Sequence, residues 1–280
     1  MNNFIVRTIT GIIFVAAIVA SFMRPQAMVL LFALVTGLTI WEFTGLVNEH
    51  RQAQVNRLIS TVAGIYLFLA MAGACSGIAP AHTVFIPYLI SIIYLLVAEL
   101  YLKAKDPIQN WAFTMMAQLY IALPFSTLNV LAFPQAGSYS FVLPLSVFVF
   151  LWMNDTGAYC FGSMLGRHKL FPRISPGKTW EGSIGGGVLV VGIAILVWHL
   201  LNTYVPEQGN LTMWQWAGLG LTVVVFGTWG DLVESLFKRT LGIKDSGHIL
   251  PGHGGMLDRF DSSLLAIPAA VVYIFTLTLL

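Results

Sequence analysis

Between Ser235 and Asp261 the chain gathers four basic side chains (Lys238, Arg239, Lys244, Arg259), three carboxylates (Asp245, Asp258, Asp261) and two histidines (His248, His253) into 27 residues, although only 9% of the chain is charged. Just upstream, Asp231, Glu234, Ser235 and Lys238 recur at spacings of three and four, which puts them on one face of a helix. Asp258 and Asp261, again three apart, open the next apolar segment. Carboxylates inside apolar sequence cannot face lipid, so this face must line a polar cavity. Aspartate oxygens converging from neighbouring spans suit a hard divalent cation such as Mg²⁺, which commonly bridges to substrate phosphates. The competing reading is a set of salt bridges with Lys238, Arg239 and Arg259. Gly247-His-Ile-Leu-Pro-Gly-His-Gly-Gly255 lies between the two acidic faces, and its glycines let backbone N–H groups approach an anion. His253 there is either a phosphate donor or acid/base group, or a turn residue.

A second polar stretch, Ser175-Pro-Gly-Lys-Thr-Trp-Glu-Gly182, contains Gly-Lys-Thr. A phosphate-binding P-loop would need glycine at position 172, where Pro172 stands, and no strand is predicted before it. Ser175, Lys178 and Thr179 nevertheless fall at a predicted helix N-terminus, a favourable place for an anion or for simple capping. Asn154 and Asp155 interrupt an apolar helix and are predicted to face the same cavity, or to hydrogen-bond across helices. The pairs Gly182/Gly186 and Ser183/Gly187 read as helix-packing contacts. Glu42 and Glu99 stand alone and receive no role.

These residues must be held by a membrane scaffold. The chain is 57% hydrophobic with mean hydropathy +0.81, which is outside the range of soluble domains. A span needs about 20 apolar residues, and nine segments qualify: 4–22, 27–47, 58–78, 82–102, 111–132, 141–162, 182–204, 214–237 and 262–280. The first is expected to be a retained span, because no cleavage signal follows it. With the N-terminus inside, thirteen of the 14 Lys and Arg fall on the cytoplasmic side, and only Arg24 falls outside. That is a strong positive-inside bias. The expectation is an all-α polytopic bundle of about nine transmembrane helices, N-in and C-out, in a single membrane domain. Residues 1–140 would be mainly scaffold and 141–280 the catalytic half. Cys75 and Cys160 show no metal or disulfide spacing, and with no long basic run a nucleic-acid partner has no support and none is expected. Polar residues cluster at one mouth only, which argues against an anion transporter. Two phosphate-binding loops, a cation site and an embedded cavity together suit phosphoryl or nucleotidyl transfer between a water-soluble phosphate compound and a lipid.

The run Ser235-x-x-Lys-Arg239, Lys244-Asp245, Pro251-Gly-His-Gly-Gly255 and Asp258-Arg-x-Asp261 resembles the signature of the phosphatidate cytidylyltransferases, also called CDP-diacylglycerol synthases. Asn154 to Tyr159 and Ile174 to Gly182 resemble further elements of that family, and no charged signature position departs from it. The resemblance implies nine spans in the inner cell membrane, with the site facing the cytoplasm. It implies CTP and phosphatidic acid as substrates, membrane lipid as surroundings, and CDP-diacylglycerol and pyrophosphate as products. Asp231, Asp258 and Asp261 would hold a cation pair that includes Mg²⁺. Lys178, Lys238, Arg239 and Lys244 would neutralise phosphate, Ser235 and His253 would orient it, and Asp245, Asn154, Asp155, Ser175, Thr179 and Arg259 complete the expected site. Homodimers are the family's expected state. A CTP-dependent lipid-alcohol kinase shares a related fold but lacks the full signature.

Overall fold

The computed structural model describes residues 3–205, 211–247, 249 and 254–279. Helices α1 (Asn3–Phe22), α2 (Pro25–Arg51), α3 (Arg57–Cys75), α4 (Ile86–Leu102, entered through the single turn Ala81–Val84) and α5 (Pro107–Ala132) come first. They are followed by α6 (Val142–Leu165), the strands β1 (Lys169–Phe171) and β2 (Ser175–Thr179), α7 (Trp180–Tyr204) and α8 (Met213–Thr240). The one-turn α9 (Leu257–Phe260) and α10 (Ser263–Leu279) close the chain. Among the described residues seven helical segments are long and apolar enough to cross a membrane. The other two predicted spans also form helices. The apolar run of α1 is the shorter Thr8–Phe22, and α6 carries Asn154 and Asp155 in mid-course. The protein is therefore a polytopic helical membrane protein. One local departure from an all-helical chain is the hairpin β1–β2, which is antiparallel and pairs Lys169 with Thr179 and Phe171 with Ser175. The sequence reading placed no strand before Gly177-Lys-Thr, and this hairpin corrects it. Two antiparallel strands are still not the parallel sheet that a P-loop requires.

Two compact units are present, one of residues up to Phe141 with Thr240–Phe260, the other of Val142–Arg239 with Asp261 onward. In the first, sequence caps start the helices: Asn56 accepts from Ile59 N (3.1 Å) and Asp106 from Gln109 N (2.9 Å). Thr36, Thr39 and Thr44 bond back to carbonyls one turn earlier, which removes their hydroxyls from the apolar surroundings of α2. Helix α5 passes through a π-helical stretch, Ala117–Ala122, directly before Pro124. Proline supplies no N–H and collides with a preceding carbonyl, and the widened turn absorbs that defect. Phe260 of α9 is buried among Phe14, Phe32 and Phe125 at ring separations of 5.5, 6.2 and 5.5 Å. Aromatic burial thus anchors the short helix that carries Asp258 and Arg259.

In the second unit α6 and α7 pack at backbone distance. A Cβ added to Gly157 would lie 2.9 Å from the Cα of Gly186, and one on Gly182 would lie 2.7 Å from the carbonyl oxygen of Ala158. The Gly182/Gly186 pair on α7 therefore serves packing, as its spacing suggests, whereas Ser183 and Gly187 line a groove instead. Gly230 does the same for α8, where a Cβ would sit 2.7 Å from the carbonyl oxygen of Asp261.

Candidate functional site

In the second unit Thr179 ends β2 and caps α7, with its hydroxyl accepting from Gly182 N at 3.1 Å. Glu181 fixes the root of the hairpin. Its carboxylate accepts from Arg167 N and His168 N, each at 3.1 Å, and meets His168 Nδ1 at 2.5 Å. With both ends held, Lys178 reaches across to α8, where its Nζ lies 2.6 Å from Asp231 Oδ2. Ser235, one turn further along α8, donates to Asp231 Oδ1 at 3.1 Å. Lys238 pairs with buried Glu234 at 2.6 Å. Asp261, brought beside α8 by the contact at Gly230, lies within electrostatic reach of Asp231, Asp155 and Lys238.

A cavity of about 230 Å³ opens among these groups, lined by Asn154, Asp155 and Tyr159 from α6, Lys178 and Thr179 from the hairpin and Asp231 from α8. The Oδ1 of Asn154 is buried with no hydrogen-bond partner among the described residues. The cavity thus combines one ammonium, carboxylates and a capped helix N-terminus, an arrangement suited to a phosphate together with its counter-cation. Among the described residues no three His, Cys, Asp or Glu side chains cluster closely enough to hold a metal by themselves. The oxygen-only donor set at Asp231 and Asp261 still matches Mg²⁺, which takes one or two carboxylates and fills its shell with water and substrate phosphate.

A polar knot lies in the first unit. The Glu42 carboxylate, buried in α2, accepts from Met256 N (2.9 Å), Leu257 N (3.0 Å) and the Ser246 hydroxyl. Asp258 Oδ2 in turn accepts from Ser246 N and Gly255 N, both at 2.8 Å, and Ser246 Oγ accepts from Asp258 N at 3.3 Å. Gly254, at φ +81°, makes the turn that lets the Asp258 carboxylate close on it. Glu42 therefore pins both ends of the signature loop. Sequence reasoning assigned it nothing, although a carboxylate inside an apolar helix must find partners. Glu99 also has a partner, accepting from Asn110 Nδ2 at 3.0 Å.

The expected site residues fall into two groups. Asn154, Asp155, Lys178, Thr179 and Asp231 line one cavity, with Ser235 bonded to Asp231 and Asp261 close by. Ser175 pairs with Phe171 at the far end of β2 and does not line that cavity. Arg239 lies exposed at the end of α8. Asp258 and the exposed Lys244, Asp245 and Arg259 belong to the first unit, whereas Asp231 and Asp261 belong to the second. His253 and His248 lie outside the described residues.

Residues 5–277 match the profile of the Cytidylyltransferase family. Over 266 residues the chain is 35% identical to a phosphatidate cytidylyltransferase of Staphylococcus aureus, covering 94% of this chain and 96% of the relative. A phosphatidate cytidylyltransferase of Staphylococcus epidermidis has the same identity and coverage. One from Staphylococcus haemolyticus is 33% identical over 264 residues, again with 94% and 96% covered.

Proposed function

The chain belongs to the cytidylyltransferase family, and from that premise we propose that it is a phosphatidate cytidylyltransferase, converting CTP and phosphatidic acid to CDP-diacylglycerol and pyrophosphate. Full-length kinship with relatives of that name carries the reading, and the polar cavity around Lys178 and Asp231 supports it at the level of residues. A phosphate oxygen of phosphatidate attacks the α-phosphorus of CTP. The new P–O bond forms as the bond to the β-phosphate breaks, and pyrophosphate leaves with that electron pair. The nucleophile is already ionised, so no protein nucleophile is required.

Positioning and charge neutralisation then supply most of the catalysis. Asp231 and Asp261 would hold Mg²⁺, which would supply positive charge against that developing on the phosphates. A second cation would share these ligands. Lys178 would pass from Asp231 to a phosphate oxygen of CTP when the nucleotide binds. Ser235 keeps the Asp231 carboxylate oriented in the meantime. Thr179 and the N-terminus of α7 offer the second anion contact, and Asn154 and Asp155 close the cavity wall. Lys238, Arg239, Lys244 and Arg259 add positive potential for two anionic substrates, with Asp245 and His253 as supporting contacts. The same reading places nine spans in the inner cell membrane, N-in and C-out, with the site on the cytoplasmic side, and the protein as a homodimer. The decisive test is purified protein in lipid vesicles with radiolabelled CTP. Label should enter lipid, with pyrophosphate released, only when phosphatidate and Mg²⁺ are both present. Release of CDP instead would mark a lipid-alcohol kinase and overturn the reading.

A further inference from the structure

Beside the polar cavity runs a separate groove of about 580 Å³, lined almost wholly by apolar side chains of the hairpin, α7 and α8. Phe171 and Trp180 form one end, Val188 and Val191 line the α7 wall, and Val225 and Trp229 line the α8 wall. Two residues, Ser183 and Thr228, line both the groove and the cavity that holds Lys178 and Asp231. The two spaces therefore meet at a hydroxyl-bearing rim, with charge on one side and hydrocarbon on the other. From Trp180 to Val191 the α7 wall advances eleven residues, about 16 Å at 1.5 Å per residue. That equals one leaflet of a hydrocarbon core about 30 Å thick. Trp180 and Trp229 stand at the end nearest the charged cavity, half exposed at 54% and 52%, where amphipathic indoles mark headgroup depth.

We propose that this groove seats one fatty-acyl chain of the phosphatidate substrate, holding the lipid so that its phosphate enters the cavity across Ser183 and Thr228. The proposal rests on the reading above and adds to it the residues that hold the tail. Lipid tails outside the protein are as apolar as the groove, so transfer into it gains little from the hydrophobic effect. The groove acts through shape, by fixing the distance from terminal methyl to phosphate. Its contribution therefore appears in discrimination between acyl chains and leaves CTP affinity alone.

The test is Val188→Trp and, on the opposite wall, Val225→Trp, with Leu196→Trp as a control on α7 outside the groove. Val188, Val225 and Leu196 are 68%, 36% and 53% exposed, so an indole at any of them needs no room in the core. Each purified protein is assayed with a long-chain phosphatidate and with a short-chain, water-soluble one. Both groove variants should lose about tenfold in kcat/KM on the long-chain lipid, the scale at which an apolar pocket rejects excess bulk. They should stay within about twofold of the unmodified protein on the short-chain lipid and in KM for CTP, and the control should match the unmodified protein on both lipids. Equal loss on the two lipids, or no loss on either, overturns the proposal. So does a change in oligomeric state with chain discrimination intact, which would make the groove an interface between copies. If the unmodified protein makes no CDP-lipid from either phosphatidate, the enzymatic reading has failed, a result distinguishable from failure of the groove.

Discussion

Replacing Glu42 by alanine should unlatch the signature loop. The carboxylate is 8% exposed and accepts two backbone N–H groups and the hydroxyl of Ser246, itself 2% exposed. Alanine leaves the amides of Met256 and Leu257 without their acceptor in a buried place. Each such orphan costs about 1–3 kcal/mol, so a local cost of about 3 kcal/mol is a conservative sum. Phe260 remains fixed in its aromatic cluster, so the loss should open the loop locally and leave the first unit folded. About 3 kcal/mol corresponds to a change on the order of 100-fold in an opening equilibrium. Hydrogen exchange read by mass spectrometry in detergent should therefore show that loss of protection in a peptide covering Gly255–Leu257, with α3 unchanged. Turnover should fall with it, because Asp258 shares the knot through Ser246. Glu42→Gln keeps one acceptor oxygen but turns an amide N–H towards a donor, and should lie between the two. If Glu42→Ala keeps both the protection and the turnover of the unmodified protein, the latch has no mechanical role and the reasoning fails.

Asp261→Asn should lower turnover at least ~100-fold with the protein still monodisperse in detergent, since it removes a formal charge meant for the cation, and Asp258→Asn should lower it too by disturbing the acceptor of Ser246 N and Gly255 N; near-normal activity in either would cancel its assignment. Lys178→Ala should raise KM for CTP roughly tenfold by deleting one charge-assisted contact while kcat changes less. An unchanged KM for CTP would remove the hairpin from the nucleotide site.

The helical rods were legible in the sequence because hydropathy over about 20 residues is a local quantity, and each predicted span has a helix over it. Part of the site was legible for the same reason. Asp231 and Ser235 are four residues apart on a helix, and their side chains do meet. Partners distant in sequence were hidden. Ser246 lies 204 positions from Glu42, and no spacing rule connects them. The hairpin was missed because Ser175-Pro-Gly-Lys-Thr is poor in strand-forming residues, and its pairing depends on Thr179 being held as the α7 cap and Glu181 being bonded to His168. The π-helical stretch in α5 leaves only Pro124 as a trace, and proline inside a span equally signals a kink.

The glycine seam between α6 and α7 decides where this molecule can yield. Where main chain rests on main chain, no side-chain rotamer is available to take up a shift, so sliding or prying the two apart would break many close contacts together. Asn154 and Asp155 on one helix and Thr179 at the head of the other therefore travel as a single rigid plate. Adjustment between one substrate and the next is left to the hairpin tip, whose hold on α8 is the Lys178–Asp231 pair that water or a phosphate can part.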